Sequence, residues 1–419
     1  MRLPLLCCGL IFLLPVLVAA EWTQWRGPHA DGSVDGPARV QPLPERPSIL
    51  WKREIGSGYS GPIVSGSRVW VHSRQDEDEV VSCLDLTSGE PLWRQSYSAL
   101  FRQDESALSH GVGPYSTPAL SEGRLFTFGV TSVLTAWDAA SGKLLWRKNS
   151  ADEFDPGFPY FGAAASPIVW EGLVFVHLGG HERDRIESPS QGAMVALRVS
   201  DGSEIWRWTG DGPALGATPV IIEIGGQAQL VFKTKKMMVG TDPRTGQEHW
   251  RIPYSVSQDN TIVTPFFVDE RLITSDFDWG IGAWEISAQG PEWTIRQLWK
   301  HRDVSMFMST PVLAGDLVVG FSHLRRGQLF LLEPETGEVV WQGSPRSGEH
   351  ASLVSWGNEV MVFKDNGSLI MGRVENRQFR EVEKYDLGDS VGWSHPAVVD
   401  SHIIYRDGDD LAVCLLEQR

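Results

Sequence analysis

The chain has 419 residues, 42% of them hydrophobic and 21% charged, which excludes a disordered chain and allows a large buried core. A net charge of −16 excludes general nucleic-acid binding, which needs a basic surface to displace counterions. The 43 Gly and 25 Pro are spread over the whole length and exclude a helical array, while 18 Trp point to a repeated structural task.

In chain order, residues 1–20 read as an export signal. Arg2 is the charged start, the apolar run Leu5 to Leu14 is too short to span a bilayer comfortably, and Val18-x-Ala20 is a small-residue cleavage pattern. The mature chain is then expected to begin at Glu21 and to carry no transmembrane segment, with a periplasmic or secreted location. Residues 21–47 form a lead segment and 48–419 one domain. Only Cys83 and Cys414 survive cleavage. Both sit in apolar runs, at places taken by Ala136 and Ala196 in the repeats below, so they are expected to stay buried and reduced.

A segment with the pattern Asp-x-x-Ser/Thr-Gly-x-x-x-Trp then recurs about every 40–60 residues. Clear copies end at Trp93, Trp146, Trp206, Trp250 and Trp341, a degenerate copy ends at Trp299, and another near Tyr385 has lost Gly and Trp. Between them recurs a small residue and Pro before an apolar run, at Pro62, Pro118, Pro167, Pro219, Pro265, Pro311 and Pro396; Ser352 stands in this register without Pro. Each unit reads as four antiparallel strands, with the Ser/Thr-Gly pair turning the last hairpin. Eight such units make an all-β, eight-bladed β-propeller.

The last unit supplies three strands, at 395–400, 402–406 and 410–416. The segment Ser48 to Glu54 supplies a lone fourth strand with Trp51, so pairing of the two chain ends closes the ring. The repeat tryptophans are expected on outer strands, covering the joints between blades.

These repeats resemble the pyrroloquinoline-quinone-type propeller repeat, and the opening Trp22-Thr23-Gln24-Trp25-Arg26-Gly27-Pro28 looks like the lead of bacterial secreted members. The resemblance covers about residues 48–419. It implies relatives that include quinone-dependent alcohol and sugar dehydrogenases and a non-enzymatic outer-membrane assembly scaffold, and fold alone does not choose between them. The dehydrogenases resemble one another in an adjacent-cysteine disulfide, a stacking Trp, a calcium ion held by Glu and Asn, and an Asp base. This mature chain has no adjacent cysteines, and no calcium ligand set carries over.

Register nevertheless suggests a site. Loops between second and third strands carry Arg74, His181, Arg183, Lys233, Lys235, His323, Arg325, Lys364 and Arg406. Loops leading into the inner strands carry His110, Tyr115, Tyr160, Asn260, His350, Trp393 and His395. Both sets are expected on one face. Lys233, Lys235, His323, Arg325, Lys364 and Arg406, with Trp279 and Trp393, form the candidate binding set for an anion such as pyrroloquinoline quinone with calcium. Loop aspartates in the same loops can balance these cations locally. Asp278 is the weak candidate for a catalytic base beside Trp279; a turn anchored by a buried Trp competes with that reading. No metal-ligand motif is assigned. The functional expectation is an exported, monomeric module that binds an anionic small molecule or a protein. The alternatives are a quinone-dependent alcohol or sugar dehydrogenase and an envelope assembly scaffold.

Overall fold

The computed structural model describes residues 21–35, 43–101, 111–150, 161–178, 192–212, 216–254, 256–257, 261–290, 292–389 and 391–416. The leader expected at 1–20 lies outside them.

The strands form eight antiparallel sheets, and no α-helix occurs among the described residues. Blades 1 to 7 follow in chain order from Ile63 to Asp386. Blade 8 joins Ala397–Val399, His402–Asp407 and Asp410–Leu415 to the early strand Ser48–Glu54. Trp51 pairs with Val413 there, so the ring closes by joining the chain ends, as the strand count requires.

The middle strands of most blades are buried at nearly every position, because both faces of a blade pack against neighbours. Arg68–Gln75 of blade 1 and Leu317–Ser322 of blade 6 are examples. The core is accordingly divided into clusters that each sit in a joint between consecutive blades. One holds Ile63, Trp70 and Val81 of blade 1 against Leu125 and Trp137 of blade 2. The largest joins blades 7, 8 and 1 around Trp51 and takes in Trp22 from the lead.

The repeat motif explains these joints. The Trp of one blade lies on the Gly of the next blade's last hairpin. Trp51 faces Gly89, Trp93 faces Gly142, Trp146 faces Gly202, Trp206 faces Gly246 and Trp299 faces Gly337. All five glycines have positive φ, and a Cβ on any of them would meet the indole at 2.5–2.8 Å. Each of these indoles also donates its Nε1–H to a carbonyl of that hairpin, from Leu86, Ala139, Val199, Pro243 and Pro334 in turn. The motif Asp tightens the turn: Asp85 accepts from the backbone and hydroxyl of Ser88, and Asp138 does the same for Ser141. These bonds hold both carboxyls below the usual carboxylate range.

Where the next hairpin lacks the motif, the docking fails. Trp250 leaves its Nε1–H without a partner, and Trp341 packs on Phe379 instead.

Cys83 and Cys414 are free and buried, with burial pushing both thiols up to about 12. Their expected equivalence is off by one residue. Cys83 lies opposite Trp93 as Ala136 lies opposite Trp146, but Val413 takes that place in blade 8 and Cys414 pairs with Ile49.

Candidate functional site

The Pro that opens each inner strand has no N–H to give, and it holds the residue before it extended. That residue's side chain ties consecutive blades together around the axis. Gly61 N–H donates to Thr117 Oγ1 at 3.1 Å, Thr117 N–H to Ser166 Oγ at 2.9 Å, Ser166 N–H to Thr218 Oγ1 at 3.1 Å and Thr264 N–H to Thr310 Oγ1 at 3.3 Å. These bonds link blades 1 to 4 in succession and blade 5 to blade 6 around a central channel.

One end of that channel is closed by the chain's own lead. Glu21 and Trp22 pair with Ser65 and Val64 of blade 1, and Leu120 N–H of blade 2 donates to Thr23 O. Trp22 stacks on His395 of blade 8, with ring centroids 5.9 Å apart. Trp25 then reaches across the axis, its Nε1–H 3.3 Å from Thr264 Oγ1 of blade 5. Arg26 is 1% exposed and donates to Pro311 O of blade 6. Val34 N–H ends the crossing on Ser355 O of blade 7. Burial lowers the Arg26 pKa to about 10 and, with the Arg26 charge beside it, that of His395 to about 3.

Above Trp25 lies a cavity of about 160 Å³. Its wall obeys a simple rule: each blade contributes the residue three positions before its Pro. These are Tyr59, Tyr115, Ala164, Gly216, Ile262, Met308 and Trp393, with His350 in the corresponding place of the blade that lacks Pro. Five rings form a continuous arc over blades 3, 2, 1, 8 and 7. Phe161 meets Tyr115 edge-on at 6.0 Å, Tyr115 stacks on Tyr59 at 5.6 Å, Tyr59 lies 5.6 Å from Trp393, and Trp393 meets His350 at 3.9 Å.

Of the expected set, Trp393 lines this cavity and none of the six cations does. Lys233 is buried in the joint between blades 4 and 5. Its ammonium donates to Asp276 Oδ2 at 2.7 Å and to Ser275 O at 3.3 Å, over the Tyr254 ring. Tyr254 and the backbone of Ile262 and Val263 also donate to Asp276, so this carboxylate is fully engaged. Removing one partner of such a buried pair typically costs about 3–5 kcal/mol. Arg406 bridges blade 8 to His72 O and Gly56 O of blade 1.

Arg74 holds the same register and donates to Asp76 O and Ala99 O of its own blade. Lys235 is buried, and its backbone N–H donates to Gly212 O. Burial lowers the Lys364 pKa. His323 stacks on Phe277 at 4.7 Å and shares a 2.6 Å hydrogen bond with its carbonyl. Arg325 is exposed in a short 3-10 turn. Register expected these residues in loops after the second strands; Arg74, Lys233, Lys364 and Arg406 instead lie in the last residues of those strands, and the side chains of Lys233 and Arg406 run into joints between blades.

Asp278 accepts from Ser257 N–H at 3.1 Å and closes a turn. Trp279 is buried against Trp284 and Tyr254, with Lys300 over its face at 3.7 Å. The pair is a turn anchored by a buried Trp. His110, Tyr160, His181, Arg183 and Asn260 lie outside the described residues. Sequence reasoning passed over Tyr59, Phe161 and Trp25. The Pro-minus-three spacing would have found Tyr59; nothing local marks Trp25 as a floor.

A family profile described as outer membrane protein assembly factor BamB matches residues 77–343. The chain belongs to that family of pyrroloquinoline-quinone-type propeller repeats. An outer membrane protein assembly factor BamB from Shewanella oneidensis is 22% identical over 298 residues, 70% of this chain and 60% of the relative, so this chain spans well under the relative's full length. The crystal structure of BamB from Moraxella catarrhalis superposes with a TM-score of 0.60 at 15% identity, over 88% of this chain and 99% of that one. A quinohemoprotein alcohol dehydrogenase from Comamonas testosteroni gives 0.67 at 12%, over 96% and 81%. The two structures establish the propeller fold alone. No helix among the described residues is long and apolar enough to cross a membrane.

Proposed function

We propose that this chain is an exported propeller that binds protein and serves as a scaffold in cell-envelope assembly. The observation that carries the reading is the central cavity. Its floor is the protein's own Trp25, and its described wall offers aromatic, apolar, hydroxyl and glycine positions with no carboxylate and no Lys or Arg. Pyrroloquinoline quinone carries three carboxylates, and the related dehydrogenases hold it beside calcium with an Asp base. The cavity residues do not fit that group: no described wall residue supplies a calcium carboxylate, an Asp base, or a Lys or Arg counter-cation, and His350 is the one titratable imidazole among them. The same wall fits an apolar side chain of a protein partner, since rigid aromatic pockets are where interface anchors seat. Membership of a family named for outer membrane protein assembly supports the same direction.

Deleting the gene and measuring folded outer-membrane β-barrel proteins in the native cell tests the scaffold role. A reduced level, restored by the wild-type chain, is expected; an unchanged level overturns it. Purified protein given pyrroloquinoline quinone, calcium and a panel of alcohols and aldoses is expected to reduce no dye. Turnover there would restore the dehydrogenase reading.

A further inference from the structure

Beside the aromatic cup lies a second chamber of about 290 Å³, and Tyr59 and Trp393 line both. The rest of its described wall includes Ser57, Ser394, Arg406 and Asp409, with glycines at Gly58, Gly111 and Gly408 that let a ligand approach the backbone. Arg406 is 2% exposed. A guanidinium has five N–H donors. Here one Nη1 bond goes to His72 O and one Nη2 bond to Gly56 O, and the buried Nε–H has no partner. Both acceptors are neutral carbonyls, and the carboxylate whose charge acts on Arg406 is that of Asp409. Asp409, the acidic residue in the chamber wall, is exposed and sits at its lip. Solvent screens that exposed carboxylate, while the buried Nε–H of Arg406 keeps its capacity for one further acceptor.

We propose that the two chambers form one site for an apolar group joined to a single carboxylate, with the apolar group in the cup and the carboxylate on Arg406. Resting on the scaffold reading, the source of this ligand is the C-terminal residue of a polypeptide, where a side chain and a free carboxylate are held together by a few bonds. A free aromatic acid offers the same chemistry and is separated from it by experiment.

Calorimetric titration of the purified chain with 3-phenylpropionate and with 3-phenylpropanamide tests the site. The acid is expected to bind at least tenfold more tightly than the amide, since a charge-assisted hydrogen bond is about twice as strong as a neutral one. Equal affinities, or no binding of either, overturn the proposal. Trp393→Ala is expected to weaken both probes, and Arg406→Gln to abolish the preference for the acid. Arg406 also bridges two blades, so if that variant fails to fold, the acid–amide pair on the unmodified chain decides alone. A hexapeptide ending in a free-carboxylate phenylalanine, compared with its amidated form, tests the source. It is expected to show the same preference; exclusion of the peptide while the free acid binds overturns the chain-end assignment. Failure of the scaffold role would show separately, in the level of folded β-barrel proteins.

Discussion

His395 shows how one residue can fix the acid tolerance of the ring. It stands where the other blades carry Gly, Ser or Thr before Pro, and it fills the gap between Trp22, Leu353 O and Pro396 O. Burial and the Arg26 charge hold its folded pKa near 3, against about 6.5 unfolded. A base with a depressed folded pKa stays neutral in the fold while the unfolded chain takes up its proton. Stability is therefore lost as pH falls from about 6.5 toward 3, by about 2 kcal/mol per such histidine at pH 5. His177, buried with a pKa of about 3, adds a second equal contribution. Urea midpoints at pH 7 and pH 5 should reveal the combined loss, and His395→Asn should flatten it by about half. An unchanged pH slope in that variant would show that His395 is already charged in the fold. Nothing in the sequence marked this residue as a keystone, because its partners come from a lead more than 360 residues earlier.

At the scale of the element, the repeat motif was legible as a hairpin followed by an outer-strand Trp, and both are present. Its second task was not, because the partner of each motif Gly lies in the preceding unit. The bulges were also invisible. In every blade the last strand slips register by one residue, just before its Trp in the seven blades that have one. The slip leaves Leu92, Leu145, Ile205 and Val382 unpaired and 40–51% exposed, which accounts for apolar side chains on the rim without a binding role. It also twists each outer edge away from the flat geometry that invites strand addition. Two glycines of blade 2 separate the parts of this design. Gly123 has φ +70 with nothing near its missing Cβ, while Gly142 has φ +73 and Trp93 at 2.6 Å. Gly123→Ala should cost only the left-handed strain, about 1–2 kcal/mol. Gly142→Ala should cost at least twice as much by chemical denaturation, because the indole must leave its seat. Equal losses would mean that the Trp contact contributes little.

For the whole molecule, blade count, ring closure and the pairing of Trp51 with Val413 followed from counting strands, since a propeller with seven complete blades and two fragments has one way to finish. The candidate site was legible only in part. Trp393 lines the central cavity, whereas the side chains of Lys233 and Arg406 run into joints between blades, because direction within a blade depends on packing that register does not encode. The lead and the closing strand make different contributions to the closed ring. Residues 21–35 plug the channel through Trp22, Trp25 and Arg26, while Ser48–Glu54 completes blade 8. Removing residues 21–35 should leave eight complete blades, lower the melting temperature and keep the elution volume close to that of the intact chain. Removing residues 21–56 also strips the partner strand from Asp410–Leu415, leaving Ile403, Val413 and their neighbours beside an open edge. An edge of this kind pairs with other chains, so size-exclusion chromatography should show aggregates for the longer deletion alone. If residues 57–419 elute as a compact folded species, the joining of the chain ends is not what holds the ring.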